Sequence, residues 1–141
     1  MPSLSYSEEL DRELDALSES HEDDVALIDA LMEELSNDPL TLSSLTSGTP
    51  KWLSLYEPPF EIKRFASCWD SGRRVYLLKL YDTDGHLSDF RVFIGHDIQT
   101  DDYFVLSVQP RQTSYDTNSQ AFRDLCDRYD RLRIPPIGGH G

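Results

Sequence analysis

RVYLLKLYDTDGHLSDFRVFIGHDIQTDDYFVLSVQP, residues 74–110, holds three runs rich in β-branched and aromatic residues, separated by two polar breaks. The runs are 74–81, 90–94 and 103–108, and such composition with a period of two reads as β-strand. Asp82-Thr83-Asp84-Gly85 reads as the turn of a hairpin, since Asp and Gly accept the tight backbone such turns require. The second break, 96–102 (HDIQTDD), reads as a polar loop. Pro110 has no amide hydrogen to give a ladder and ends the third run. A further β-rich run, FEIKRF at 60–65, precedes the three. The connections are short, which suits antiparallel neighbours, whereas parallel ones need crossovers of about a dozen residues or more.

Outward from this sheet the period becomes helical. Tyr6, Leu10, Leu14 and Leu17 make one apolar stripe, and Val25, Ile28, Leu31, Met32 and Leu35 make a second. Residues 18–24 (SESHEDD) break the two apart and offer N-cap residues. Pro39 ends the second, and Leu40, Leu42 and Leu45 suggest one short extra turn. On the other side Ala121, Phe122, Leu125, Cys126, Tyr129 and Leu132 trace a last helical face, stopped by Ile134-Pro135-Pro136. The expected fold is therefore α+β: two N-terminal helices, a four-stranded mainly antiparallel sheet with helices packed on one face, and a C-terminal helix. A single domain, 1–141, divides into an acidic helical segment at 1–50, the sheet plus C-terminal helix at 51–134, and a flexible tail at 135–141.

At 141 residues and 38% hydrophobic the chain can bury one ordinary core. Its N-terminus lacks the basic and apolar regions of a secretory signal, and no apolar run nears the roughly 20 residues of a membrane span. A cytoplasmic protein without membrane contact is expected. Cys68 and Cys126 read as two free thiols, with a single disulfide as the alternative. No cofactor is expected: there is no Gly-rich phosphate loop and no nucleophile elbow. No metal is expected either, because His21, His86 and His140 share no ligand spacing with the cysteines.

The formal charge of −13 is unevenly placed. Residues 1–50 hold 13 Asp/Glu against the single cation Arg12, a charge of −12, and residues 51–141 carry −1. A uniformly basic nucleic-acid binder is excluded, but a locally cationic face is not. Strand alternation puts Tyr76, Leu78, Leu80, Phe90, Val92, Ile94, Phe104, Leu106 and Val108 on one apolar face toward the helices. The opposite face would present Lys79 with Tyr81, Arg91 with Phe93, and Ser107 with Gln109, with Arg111 in the same parity. Such a face suits phosphates and stacked bases; equally, it can be a solvated surface whose cations pair with Asp and Glu.

The stretch 75–116 resembles the core of the RelE/ParE-type toxins of bacterial type II toxin–antitoxin systems. Phe90-Arg91-Val92-Phe93 matches an aromatic-Arg-hydrophobic unit on that family's middle strand, Tyr103 to Arg111 matches its last strand, and Tyr115 matches a Tyr that often follows. The helical pair matches too. The resemblance implies a metal-independent mRNA endonuclease acting at the ribosome and held in check by a cognate antitoxin. Arg91 and Arg111 would clamp the scissile phosphate, Lys79 would add charge, and Tyr115 would take part in proton transfer. Lys63, Arg64, Phe93 and Gln109 would contact RNA. For Tyr115 the plain alternative is a capping or packing residue, and for His96, a second possible base, turn chemistry.

A function of a different class fits the same sequence. Acids spaced around a Leu stripe describe a helix surface more readily than a tail. Such a surface can engage the groove of a basic nucleic-acid-binding protein, making the chain a non-catalytic inhibitor or nucleic-acid mimic of the anti-CRISPR or anti-restriction type. A third possibility is a toxin fold whose own anionic helices shield the sheet.

Overall fold

The computed structural model of the chain describes residues 3–46, 60–82, 84–112 and 116–134. The expected tail at 135–141 lies outside the described residues. The fold is α+β: two N-terminal helices, a mixed, mostly antiparallel five-stranded sheet, and a C-terminal helix. In chain order the elements are β1 (Ser3–Tyr6), α1 (Glu8–Ser18), α2 (Glu22–Asn37), α3 (Pro39–Ser44), β2 (Phe60–Arg64), α4 (Ala66–Trp69), β3 (Val75–Tyr81), β4 (Leu87–Asp97), β5 (Asp102–Pro110) and α5 (Gln120–Arg131). The spatial strand order is β1-β5-β4-β3-β2.

The strand missing from the sequence reading is β1, which pairs parallel with β5 from Ser3↔Asp102 to Tyr6↔Val105. Its Ser-Leu-Ser-Tyr run is too short to announce itself. Tyr6 therefore ends a strand instead of leading the stripe of α1. Ser7 marks the boundary: its hydroxyl accepts the Leu10 amide at 3.3 Å, an N-cap. Glu8, Glu9 and Asp11 in the first turn then suit the positive end of the helix dipole. The second break is also shorter than expected, because β4 runs through His96 to Asp97. Asp101 adopts φ 59° between β4 and β5, a left-handed conformation that Asp tolerates better than most residues.

Two cores sandwich the sheet. Leu10 and Leu14 of α1 with Val25, Ile28, Leu31, Met32 and Leu35 of α2 pack on Phe60, Ile62, Tyr76, Leu78, Leu80, Phe90, Val92 and Ile94. The opposite face, expected to be open, is covered by α5. Leu125, Cys126 and Tyr129 pack there on Phe65, Cys68, Val75, Leu77, Phe93 and Leu106. Helices thus lie on both faces, not one. The stripe that makes α5 amphipathic needs an apolar surface, and Val75, Leu77 and Phe93 supply it.

A β-bulge corrects the expected facing of β5. Phe93 pairs with Ser107, but Ile94 pairs with Val105, so Leu106 is the extra residue. Val108 keeps its expected side. Leu106 and Phe104 turn to the α5 side, and Tyr103 and Val105 join the helix-pair side. The α5 packing is close: a Cβ on Gly95 would stand 3.2 Å from both Leu106 Cδ1 and Tyr129 Cδ2. Gly95→Ala is expected to cost about 1–2 kcal/mol of stability by overpacking, read as a lower urea midpoint. An unchanged midpoint would mean that α5 moves off the sheet freely.

Candidate functional site

The ladder brings three of the expected nuclease residues into one row. Lys79 pairs with Arg91, and Arg91 with Gln109. Arg111 follows two residues on, exposed, its amide donating to the Asp89 carbonyl at 2.8 Å. Tyr115 lies outside the described residues. Arg91 and Gln109 are buried and Lys79 is half-buried. Arg91 is 4% exposed, and its Nη1 donates to the carbonyls of Ser88 (2.9 Å) and Phe90 (3.2 Å) while Nε is buried without an acceptor. Gln109 Nε2 donates to the carbonyl of Ala121 at 3.1 Å, in the first turn of α5. The start of that helix therefore sits where an RNA backbone was expected.

The expected base contacts are dispersed. Phe93 is fully buried, its ring edge-on to Phe65 at 5.0 Å between centroids. Lys63 is opposite Leu77 on the α5 side, whereas Arg64, one residue on, is opposite Tyr76 on the helix-pair side. Arg64 lies over Trp69, 4.2 Å from the ring centroid. His96 is buried with its ring tilted over Tyr103 at 4.4 Å; its Nε2 meets Asp101 Oδ1 at 3.0 Å, and its backbone amide donates to the Arg74 carbonyl. Cys68 and Cys126 are both free and buried in the α5-side core, and burial pushes the Cys68 thiol up to about 12, a protonated and unreactive state.

Other cations serve the fold, and sequence reasoning missed them. Arg128 Nη1 meets the carboxylate oxygens of Glu13 at 2.8 and 2.9 Å and the Leu106 carbonyl at 2.9 Å. Arg131 meets Glu9 at 3.0 Å, and Arg73 forms a two-pronged pair with Asp130. Arg128 and Arg131, spaced i,i+3 in the last turn of α5, thus clasp α1 around the β5 margin of the sheet. Only the clustering of basic residues at that helix end hinted at a clasp.

The exposed surface of α1 and α2 is rich in acid. Asp11 and Asp15, one helical turn apart on α1, lie near Asp29 on α2. Partial burial and then the charges of Asp11 and Asp15 raise the Asp29 carboxyl above its ordinary pKa. Among the described residues no ion pair reaches any of the three. Beside them Tyr6, Asp29, Met32, Glu33, Ser36 and Asn37 line a groove of about 500 Å³. Asp82, Asp84 and His86 could bring one ligand atom each within 4.8 Å of the others, but Asp82 Oδ1 already accepts the amides of Asp84 and His86. That is the accounting of a turn.

Compared with protein-family models, curated proteins and solved structures, the chain matches none. No described helix is long and apolar enough to cross a membrane.

Proposed function

We propose that the chain is a non-catalytic binding protein that presents the acidic α1–α2 pair to a basic groove of a nucleic-acid-binding protein. The crowding of Asp11, Asp15 and Asp29 carries this reading. A carboxyl whose folded pKa is raised contributes stability that is present at acid pH and lost as pH rises through that pKa. At neutral pH the three charges repel one another, and a partner's cations would relieve what the Lys and Arg among the described residues do not. The adjoining groove adds Tyr6 and Met32 as apolar contact beside the charge.

The test is binding of a fluorescein-labelled Lys/Arg-rich peptide. Asp11→Asn/Asp15→Asn/Asp29→Asn should weaken binding about tenfold and flatten its salt dependence. Glu19→Gln/Glu22→Gln/Asp23→Asn, an equal charge change at the α1–α2 turn, should matter far less. Equal losses in the two would reduce the surface to net charge and remove the reading.

A metal-independent ribonuclease of RelE type, with a cognate antitoxin, is the second reading. The observation that favours it is Arg91, whose guanidinium meets no carboxylate among the described residues and stands beside Lys79. Induced growth arrest of a bacterial host, relieved by Arg91→Ala/Arg111→Ala and by the exposed Arg111→Ala alone, would favour it over the acidic binder.

A further inference from the structure

We propose that Arg64, Trp69, Arg74 and Tyr76, at one end of the sheet on its helix-pair face, form a site for the phosphate group of a small phosphorylated ligand. The site is independent of the acidic helices and of the row containing Arg91.

Its position follows from strand pairing. Arg64 ends β2 opposite Tyr76 of β3, and Arg74, just before β3, lies over the same Trp69 ring as Arg64. Trp69 of α4 is pinned beside them: its indole Nε1 donates to the Val75 carbonyl at 2.8 Å, and its ring meets Tyr76 edge-on at 5.7 Å. The guanidinium carbons of Arg64 and Arg74 lie 4.2 and 4.9 Å from the Trp69 ring centroid. They are therefore at most 9.1 Å apart, the sum of those distances. Where the two guanidiniums share one side of the ring, an oxyanion with acceptors on several sides can bridge them through charge-assisted hydrogen bonds of about 2.7–2.9 Å.

Among 26 Asp/Glu, partners are found for Arg73, Arg128 and Arg131. Among the described residues no carboxylate forms an ion pair with Arg64 or Arg74. Arg74 Nε is buried with no acceptor. A buried guanidinium N–H without an acceptor is costly, and the Arg74 Nε–H, beside two guanidiniums with no carboxylate, is a donor that an oxyanion could satisfy.

The chemistry favours phosphate over carboxylate. Two guanidinium forks, with the Tyr76 hydroxyl already hydrogen-bonded to Arg64, offer more donors than the two oxygens of one carboxylate can accept, whereas a phosphate monoester brings three terminal oxygens and close to two charges. Size follows from the whole molecule: at −13 the chain repels a long polyanion. A small ligand carries too little charge to be excluded.

Calorimetric titration of the full chain with inorganic phosphate, and separately with glycerol 3-phosphate, at fixed ionic strength should give saturable binding. Tighter binding of the ester would identify a phosphorylated metabolite, not the free ion, as the natural occupant. A Trp52→Phe variant leaves Trp69 as the sole indole and should report the same binding by fluorescence. Arg64→Gln, at an exposed position, should weaken binding at least tenfold with an unchanged circular dichroism spectrum, and Arg74→Gln should weaken it further. Absence of saturation, an equal response to sodium chloride, or undiminished affinity in Arg64→Gln would each overturn the proposal.

Discussion

Phe93→Ala is expected to lower the free energy of unfolding by about 3–5 kcal/mol, the usual cost of removing a buried aromatic ring. Phe93 has no exposed surface and sits between Leu77 of β3, Leu106 at the bulge and Leu125 of α5. Its edge-on contact with Phe65 adds to the area term. The cavity would open under α5, where few polar atoms could stabilise water. Phe93→Leu should cost about 1–2 kcal/mol, since most of the volume stays. Urea denaturation reads both. The result separates two roles for one residue. An aromatic that stacks on RNA would leave the urea midpoint alone and lower RNA affinity when truncated. A change below about 1 kcal/mol in Phe93→Ala would place it outside the core altogether.

That contrast shows what periodicity can and cannot read. The alternation of 74–110 marks β3, β4 and β5 because β-branched and aromatic residues suit a pleated, buried surface. The two leucine stripes mark α1 and α2 for the corresponding helical reason. What alternation cannot reveal is whether a face with Lys79, Arg91 and Gln109 meets water or a helix. The faces differ by a few polar residues, and the α5 side still holds Val75, Leu77 and Phe93. Leu77 beside Leu78 in β3 was the available signal, since adjacent leucines in a strand occupy opposite faces and a strand buried on both sides loses its alternation. The bulge at Leu106 is less legible still, as nothing in Val-Leu-Ser marks an extra residue. Long-range pairings such as Arg128 with Glu13 are absent from any local pattern. The acidic surface was fully legible from composition, but the crowding of Asp29 by Asp11 and Asp15 required the packing of α1 against α2.

Arg128→Met is expected to cost about 2–3 kcal/mol, less than the 3–5 of a fully buried pair because the site is not dry. Arg128 is 15% exposed and Glu13 27%. Burial by itself disfavours the guanidinium charge, but hydrogen bonding to Glu13 and the charges of Glu13 and Glu9 outweigh it, so the pKa of Arg128 is raised. Met keeps much of the side-chain volume and removes the three short Nη1 contacts, leaving the Glu13 carboxylate without its cation and the Leu106 carbonyl without that donor. Glu13→Gln should cost less, because an amide oxygen can still accept from Arg128. The double variant should be less destabilised than the sum of the two by about 1–2 kcal/mol, the coupling of groups in direct contact. The clasp also bears on the charge of the chain. It brings two cations of α5 to a segment that carries −12 with Arg12 as its own cation. Its loss should therefore loosen α1 before the rest of the fold, visible as faster amide hydrogen exchange at Leu10 and Leu14 with little change in β3 and β4. If Arg128→Met costs less than 0.5 kcal/mol, roughly the range of exposed ion pairs, then the apolar contacts of Leu10 and Leu14 alone hold α1, and the clasp is a surface pairing with no structural role.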